Sequence, residues 1–258
     1  RAEHLEVGRP SPPHPYLEHD GVLAFAHRGG TSHHPENTLE AFSHAVSLGY
    51  RYLETDVHLS ADGVLVAFHD DDLSRTCDRA GRIADMTWSE IADARVGGVA
   101  QVPRLDDLLS TFSDQRFNID CKSDDAVEPL ASVLEQADCL ERVCIGSFSG
   151  RRLRTLRQRF GPSLCTSCSP AEVAALVAGR APRGVQAAQV PVRQGPIPVV
   201  TTRLVRRAHR AGMHVHVWTI DDAPEMTRLL DLGVDGIMTD SCDVLRDVLI
   251  ARGEWLSR

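Results

Sequence analysis

Short apolar runs alternate with helix-length segments along most of the chain. The apolar runs predict strands, and they are Val22–His27, Tyr52–Val57, Phe117–Cys121, Val143–Ser147, Leu164–Ser167, Val185–Val190, Val215–Thr219 and Gly236–Thr239. The clearest predicted helices are Thr38–Leu48, Val127–Ala137, Arg151–Phe160, Ala171–Ala178, Thr202–Ala211, Pro224–Leu232 and Val244–Arg252. Strand–helix alternation is typical of parallel sheets, and eight such strands favour an α/β fold of the TIM (β/α)8 barrel type. An open doubly wound sheet is the alternative, but the turn after the first strand lacks the G-x-G-x-x-G pattern.

One further apolar run, Val64–His69, follows the second predicted strand too closely for a parallel crossover, which needs a dozen or more residues. The intervening Asp62 and Gly63 predict a tight hairpin instead. Folding the chain about this turn brings Asp56 close to His69. Residues 71–116 are then expected to form a small insertion over one end of the barrel, with short helices at Trp88–Ala94 and Leu105–Phe112.

Composition and charge narrow the class of protein. Apolar residues make up 42% of the 258 residues, which suits a single large domain over residues 21–258. The net charge of −8 argues against nucleic acid as a partner. No apolar run approaches the roughly 20 residues of a membrane span, so we expect no integral membrane association. Residues 1–20 have no apolar signal core and are expected to form an N-terminal arm.

The cysteines bear on the cellular compartment. Seven cysteines form no disulfide-framework spacing, and most lie in apolar contexts. Reduced thiols of this kind predict a cytoplasmic protein. The prediction assumes that no signal sequence preceded Arg1, since the chain does not begin with Met.

Polar residues gather where the predicted strands end, and TIM-barrel active sites lie at the carboxyl ends of the strands. Glu54 and Asp56 are two residues apart on one strand and therefore point to the same face. Two confined carboxylates raise one another's pKa unless a cation holds them, and Mg²⁺ or Ca²⁺ suits oxygen ligands best. Asp120 at the end of the third barrel strand is a third candidate ligand. A salt-bridged pair at the barrel rim is the alternative interpretation.

Two histidines and two cations accompany these carboxylates. His27 and His69 are candidate general acid and base, because imidazole titrates near neutral pH. Arg28 and Lys122 are candidate phosphate ligands, although each is equally able to pair with the carboxylates. Trp218, near the end of the seventh strand, is a candidate for the substrate pocket.

Other polar residues predict structural roles. Asn37 or Thr38 is expected to cap the first helix, while Glu36 is also able to orient the site. His33 and His34 are expected to be loop residues beside the mouth of the barrel. Two pairs that resemble metal motifs are interpreted as core residues, namely His214 with His216 and Cys165 with Cys168.

Several motifs, taken in order along the chain, resemble those of the glycerophosphodiester phosphodiesterase family over about residues 22–248. They are Ala26–Gly29, Pro35–Thr38, Leu53–Val57, Phe68–Asp70, Val102–Leu105, Asn118–Lys122, Gly146–Phe148, Trp218–Asp221 and Asp235–Asp240. The resemblance implies a TIM barrel with a small insertion. It also implies hydrolysis of glycerophosphodiesters to glycerol 3-phosphate and an alcohol such as choline or ethanolamine.

The resemblance assigns roles residue by residue. His27 and His69 match the family's acid–base histidines, and Arg28 and Lys122 match its phosphate ligands. Glu54, Asp56 and Asp120 match the positions that hold Mg²⁺ or Ca²⁺. The family usually has Glu at the position of Asp120, so the shorter side chain is expected to act through water or with a shifted metal. The family favours Asn at the position of Asp221. If Asp221 lies near the mouth of the barrel, its carboxylate would disfavour substrates with anionic head groups.

Other functions are compatible with parts of this pattern. A lysophospholipase D-like or cyclic-phosphate-forming lipid phosphodiesterase would need an apolar opening, for which the loop 190–200, rich in Pro and Val, is the candidate. A non-catalytic phosphate-binding barrel has only Asp120 in its favour. An amidohydrolase-type metal enzyme would carry H-x-H at the end of the first strand, which this chain lacks. The sequence leaves open the head group, the native metal, the nucleophile (water or a glycerol hydroxyl) and the oligomeric state.

Overall fold

The computed structural model of the chain describes residues 14–256, in which eight parallel strands form a nearly closed barrel. The barrel strands are Leu23–Ala26, Tyr52–Leu59, Arg116–Cys121, Val143–Gly146, Cys165–Thr166, Ala187–Pro191, His214–Trp218 and Gly236–Thr239. They neighbour one another in chain order, and the first strand pairs with the eighth. A parallel bridge between Ser167 and Ala187 joins the fifth strand to the sixth. The predicted TIM barrel is confirmed.

Each barrel strand is followed by a helix that packs an apolar face against the outside of the barrel. The barrel helices are Leu39–Ser47, Leu105–Thr111, Val127–Gln136, Gly150–Phe160, Pro170–Val177, Thr202–Arg210, Ala223–Leu232 and Cys242–Ala251. Side-chain caps set several starts, since Thr38 accepts from the backbone of Ala41, and Ser169 forms a capping box with Glu172. Thr38, and not Asn37, therefore caps the first helix.

The hairpin predicted after the second strand is present. Leu65–Ala67 runs antiparallel to that strand, with Ala67 opposite Val57, and the amide of Phe68 donates to the carbonyl of Asp56 at 3.0 Å. This pairing places His69 beside the end of the second strand, as predicted.

The insertion that follows is shorter than expected. It contains the helix Trp88–Ala92, the strands Arg95–Val96 and Ala100–Gln101, and the 3-10 turns Leu73–Arg75 and Ile83–Asp85, around an apolar cluster of its own. The helix Leu105–Thr111, expected in the insertion, instead buries its leucines in the main core as the second barrel helix. The expected range 71–116 was therefore too long at its carboxyl end.

The amino end of the described chain closes the floor of the barrel. The 3-10 turn Pro15–Leu17 buries Tyr16 and Leu17 against Phe25, Tyr52 and other interior side chains. The rings of Tyr16 and Tyr52 meet edge to face at 5.3 Å, and the Tyr52 hydroxyl donates to the Tyr16 carbonyl at 2.8 Å. The expected arm over residues 1–20 therefore does not include this segment. Residues 1–13 of the expected arm lie outside the described residues.

The barrel interior contains polar residues above this floor. His216 is fully buried, and desolvation lowers its pKa to about 3, so the ring is neutral. Nε2 of Gln189 lies 3.4 Å from Nδ1 of His216 and also donates to Oδ1 of Asn118 at 2.6 Å. His216 is thus a core residue, as predicted. Cys165 and Cys168 are likewise buried and free.

Short elements complete the described chain. They are the strands Arg193–Gln194 and Ile197–Pro198, which form a hairpin, and the 3-10 turns His27–Gly29, Leu140–Arg142 and Gly161–Ser163. Between residues 14 and 256, no helix combines the length and apolar character that crossing a bilayer requires.

Candidate active site

A cavity of about 620 Å³ opens at the carboxyl ends of the barrel strands. Its wall contains every residue that the sequence predicted for the site, namely His27, Arg28, Glu54, Asp56, His69, Asp120, Lys122 and Trp218. A volume of this size is typical of small-molecule sites. The residues come together because the parallel strands all end at the same face of the barrel.

Glu54 and Asp56 lie on the inner face of the second strand and are almost fully buried. Asp56 is in register with Asp120 of the neighbouring third strand. Burial, reinforced by the charge of Asp56, raises the pKa of Glu54 to about 7. A cation next to these carboxylates would relieve that repulsion.

Lys122 bridges two of the carboxylates. Its Nζ lies 2.8 Å from Oδ1 of Asp56 and 2.7 Å from Oδ2 of Asp120, while Nε of Arg28 lies 3.5 Å from Oδ2 of Asp56. Burial raises the pKa of Asp56, but Lys122 and Arg28 outweigh it, so the net shift is downward. Oδ1 of Asp120 is buried and has no hydrogen-bond partner among the described residues. Both predicted phosphate ligands thus pair with the carboxylates.

His27 stands on the 3-10 turn that follows the first strand. Its Nδ1 lies 2.7 Å from Oδ1 of Asp240, and its Nε2 lies 3.8 Å from Oε2 of Glu54. Burial lowers the pKa of His27, but the charges of Glu54 and Asp240 outweigh it and raise the pKa overall. Arg28 adopts a left-handed conformation (φ 51°), which directs its amide to Oε2 of Glu54 at 3.0 Å.

His69, which follows the hairpin strand, is paired with a carboxylate in the same way as His27. Its Nδ1 lies 2.5 Å from Oδ1 of Asp70, and Asp70 also accepts from Arg75. Arg75 donates to Glu36 at 2.6 and 3.1 Å, and Arg28 donates to the same carboxylate at 3.1 Å. Glu36 therefore connects the surroundings of the two histidines.

Three orienting residues were not predicted from the sequence. Asp240 and Asp70 each hold an imidazole, and Asn37, at φ 55°, donates to Asp56 at 3.3 Å. Asp70 directly follows His69, and Asp240 follows the eighth strand, so the rule applied to the other strand ends would have found both. For Asn37 the sequence predicted only a helix cap, because its contact with Asp56 depends on a left-handed turn.

Asp221 is not among the residues that line the cavity. Its Oδ1 accepts from the amides of Asp240 and Ser241 at 2.8 and 3.2 Å, and from the Thr239 hydroxyl at 2.9 Å. The carboxylate is exposed and holds the turn after the eighth strand. Its charge is thus directed to the donors of the turn that contains Asp240.

The far end of the cavity is apolar. Side chains of the fifth barrel helix, of the strand end at Pro191 and of the 193–198 hairpin form this wall, namely Pro170, Val173, Ala174, Val177, Pro191, Ile197 and Val199. Phe148 packs against Trp218 with ring centroids 6.1 Å apart, between this wall and Lys122. The loop 190–200 therefore lines the cavity, and the site has a charged end and an apolar end.

Comparison with known proteins agrees with this geometry. The model of the glycerophosphoryl diester phosphodiesterase family matches residues 27–244. A probable glycerophosphodiester phosphodiesterase 2 of Mycobacterium tuberculosis is 43% identical over 251 residues, covering 93% of this chain and 95% of its own. A glycerophosphodiester phosphodiesterase of Caldanaerobacter subterraneus is 30% identical over 245 residues, covering 87% and 96%.

Solved structures share the fold. A putative glycerophosphoryl diester phosphodiesterase of Silicibacter pomeroyi superposes with a TM-score of 0.78 at 26% identity, covering 92% of this chain and 97% of its own. An Oleispira antarctica phosphodiesterase, solved with the product sn-glycerol-3-phosphate, gives a TM-score of 0.74 at 22% identity, covering 89% and 97%. The chain therefore belongs to the glycerophosphoryl diester phosphodiesterase family and is a phosphoric diester hydrolase.

Proposed function

We propose that this enzyme hydrolyses glycerophosphodiesters to glycerol 3-phosphate and an alcohol, using a divalent metal ion and two histidines. The observation that carries the proposal is the pairing of each histidine with a carboxylate at Nδ1. His27 pairs with Asp240 and His69 with Asp70, and both rings line the cavity that contains three carboxylates and two cations. The family of the chain and the names of its relatives support this substrate class.

The residues present fit a hard divalent ion such as Mg²⁺ or Ca²⁺. Glu54, Asp56 and Asp120 would hold it, and they supply only oxygen donors. Two features of the cluster favour a cation: the raised pKa of Glu54 and the buried Asp120 Oδ1 without a partner. When bound, the ion supplies positive charge to the phosphoryl oxygens.

The three carboxylates are less tightly gathered than a preformed metal cluster. Among residues 14–256, only His33, His44 and Asp243 place three such ligand atoms all within 4.8 Å of one another. In the carboxylate cluster the ammonium of Lys122 stands between Asp56 and Asp120. With an ion held by these carboxylates, Lys122 would be released toward the substrate, where its charge would serve the phosphate.

Arg28 and Lys122 would bind the phosphodiester oxygens. Their charges stabilise the additional negative charge that phosphorus carries in the transition state. Arg28 is held by Glu36 and Asp56, so its position is fixed before the substrate arrives.

The histidines would transfer protons at Nε2, since Nδ1 of each ring is bonded to a carboxylate. One imidazole takes a proton from the nucleophile, which is water or the neighbouring glycerol hydroxyl, as a new P–O bond forms. The other donates a proton to the departing alcohol oxygen as the old P–O bond breaks.

The test is turnover of glycerophosphocholine by His27→Ala and His69→Ala, with products followed by phosphorus NMR. Each substitution should lower the rate by about 10²–10⁴ while thermal unfolding stays unchanged. His34→Ala, a loop histidine outside the cavity wall, is the control. Wild-type turnover by both variants would refute the histidine assignment, while a cyclic phosphate product would identify the glycerol hydroxyl as nucleophile.

The apolar end of the cavity favours a second candidate, a lysophospholipase D-like activity. An acyl chain on the glycerol would lie along Val173, Val177 and Ile197 while the phosphate occupies the charged end. Val177 and Ile197 are 41% and 60% exposed, so an acyl chain that lies against them would remove their apolar surface from water. Measuring release of choline from lysophosphatidylcholine against glycerophosphocholine separates the two substrate classes.

A further inference from the structure

Outside the active-site cavity, three ligating side chains meet beside the first barrel helix. His33 lies in the loop after the first strand, His44 on the first barrel helix, and Asp243 in the first turn of the last helix. Each offers one ligand atom, and all three atoms lie within 4.8 Å of one another. The residues come from three separate elements, so the fold, and not the local sequence, gathers them.

An ion pair explains only part of this cluster. Nε2 of His33 lies 2.6 Å from Oδ2 of Asp243, and the two imidazoles of His33 and His44 have centroids 4.8 Å apart. Nε2 of His44, however, is shielded from solvent and has no hydrogen-bond partner among the described residues. A shielded polar nitrogen without a partner is costly, and a metal ion would satisfy it.

We propose that His33, His44 and Asp243 form a site for a transition-metal ion of the Zn²⁺ type, distinct from the carboxylate site. Two imidazoles and one carboxylate match the borderline-soft ions, whereas Mg²⁺ and Ca²⁺ prefer oxygen ligands alone. Ligand atoms around tetrahedral Zn²⁺ lie roughly 3.3 Å apart, given Zn–N bonds of about 2.0–2.1 Å. The observed spacing therefore needs only small side-chain rotations to close around an ion, and water would complete the shell.

The position of the site gives the ion a structural role. The same loop donates from the Thr31 amide and the Ser32 hydroxyl to the carbonyl of Asp240, at 3.0 and 3.2 Å. Asp243 follows three residues after Asp240, whose carboxylate holds His27. An ion at this site would tie the loop, the first helix and the last helix together around Asp240.

The experiment is titration of metal-stripped protein with Zn²⁺ by calorimetry and by thermal unfolding, in excess Mg²⁺ to occupy the carboxylate site. Wild type should bind one Zn²⁺ through these residues, and its Tm should rise by roughly 5–10 °C at a zinc concentration about 100 times Kd. His33→Ala, His44→Ala and Asp243→Asn should each weaken binding at least about tenfold.

His34→Ala is the matched control, because its ring lies 5.3 Å from that of His44 but is not one of the three ligands. This variant should retain the zinc-induced rise in Tm. Zinc binding that is absent in wild type, unchanged in the three ligand variants, or lost equally in His34→Ala would overturn the site. The readouts do not depend on turnover, so they are independent of the proposed phosphodiesterase activity.

Discussion

Nδ1 of His27 lies 2.7 Å from Oδ1 of Asp240, and this contact joins the ends of the first and eighth barrel strands. The contact leaves Nε2 of the ring 3.8 Å from Glu54, inside the cavity. Asp240 is itself fixed through its backbone, because its amide donates to Asp221 and its carbonyl accepts from Thr31. His69 and Asp70 repeat the pairing from the hairpin. The two histidines are thus oriented by carboxylates from separate parts of the chain.

Replacing Asp240 with Asn should lower kcat/KM by about 10²–10⁴, because the ring of His27 loses its orienting charge. Asp240 raises the pKa of His27, so its loss lowers that pKa. The limb of the pH–rate profile that belongs to His27 should therefore move to lower pH. Asp247→Asn on the exposed face of the last helix is the control. An unchanged rate and pH profile for Asp240→Asn would show that the pair does not orient the base or acid.

Val177→Asp should distinguish the two substrate classes. Val177 lies at the apolar end of the cavity and is already 41% exposed, so a charge there is tolerated by the fold. Turnover of lysophosphatidylcholine should fall, because an acyl chain would bury less of its surface beside a carboxylate. Each CH₂ that stays in water forgoes about 0.8 kcal/mol, or roughly fourfold in affinity. Turnover of glycerophosphocholine, which has no acyl chain, should be unaffected. Equal loss for both substrates, or no loss for either, would argue against an acyl-chain groove.

Asp235 should contribute stability that depends on pH. Burial raises the pKa of the Asp235 carboxyl. Hydrogen bonds from His209 at 2.8 Å and from the Val215 amide at 2.7 Å, together with the charges of His209 and His214, outweigh burial and lower the pKa overall. A lowered folded pKa means that the contribution is complete above the unfolded pKa and is lost as pH falls through the folded value.

Asp235→Asn should therefore cost about 1–3 kcal/mol in free energy of unfolding at pH 7. The difference from wild type should shrink as the pH drops below about 4. Urea unfolding across this range measures it. Asp231→Asn, whose partner Arg252 lies 2.8 Å away at an exposed site, should change little at any pH. A cost for Asp235→Asn that is constant with pH would contradict the assignment.

Substitution of Tyr16 tests whether the segment Pro15–Leu17 closes the floor of the barrel. Tyr16→Ala should destabilise the protein by about 3–5 kcal/mol, because a fully buried aromatic ring leaves a cavity. Tyr16→Phe should be nearly neutral, since the hydroxyl is buried without a hydrogen-bond partner among the described residues. Urea unfolding of both variants measures this. An unchanged free energy of unfolding for Tyr16→Ala would show that residues Pro15–Leu17 belong to an arm and not to the floor of the barrel.

Features with a local sequence signal were predicted well. Strand–helix alternation predicted the barrel, and Asp62-Gly63 predicted the hairpin that brings His69 to Asp56. The eight predicted site residues share one cavity because position at a strand end is a local property, visible in the sequence.

Features that depend on tertiary contacts were not predicted. Tyr16 and Leu17 form too short an apolar segment to indicate burial, and the assignment of helix Leu105–Thr111 to the barrel depends on which core its leucines enter. The hydrogen bonds of Asp221 to the turn at Asp240, and the meeting of His33 and His44 with Asp243, join distant parts of the chain. No periodicity or motif encodes such contacts.

Metal-dependent phosphodiester hydrolysis is tested by release of glycerol 3-phosphate from glycerophosphocholine by metal-stripped protein, with Mg²⁺, Ca²⁺ or no metal added back. We expect negligible turnover without metal and restored turnover with at least one of the two ions, held by Glu54, Asp56 and Asp120. Asp120→Asn should then need at least about tenfold more metal for half-maximal rate. Full turnover by the stripped protein in the presence of a chelator would contradict the metal-dependent phosphodiesterase proposed for this site.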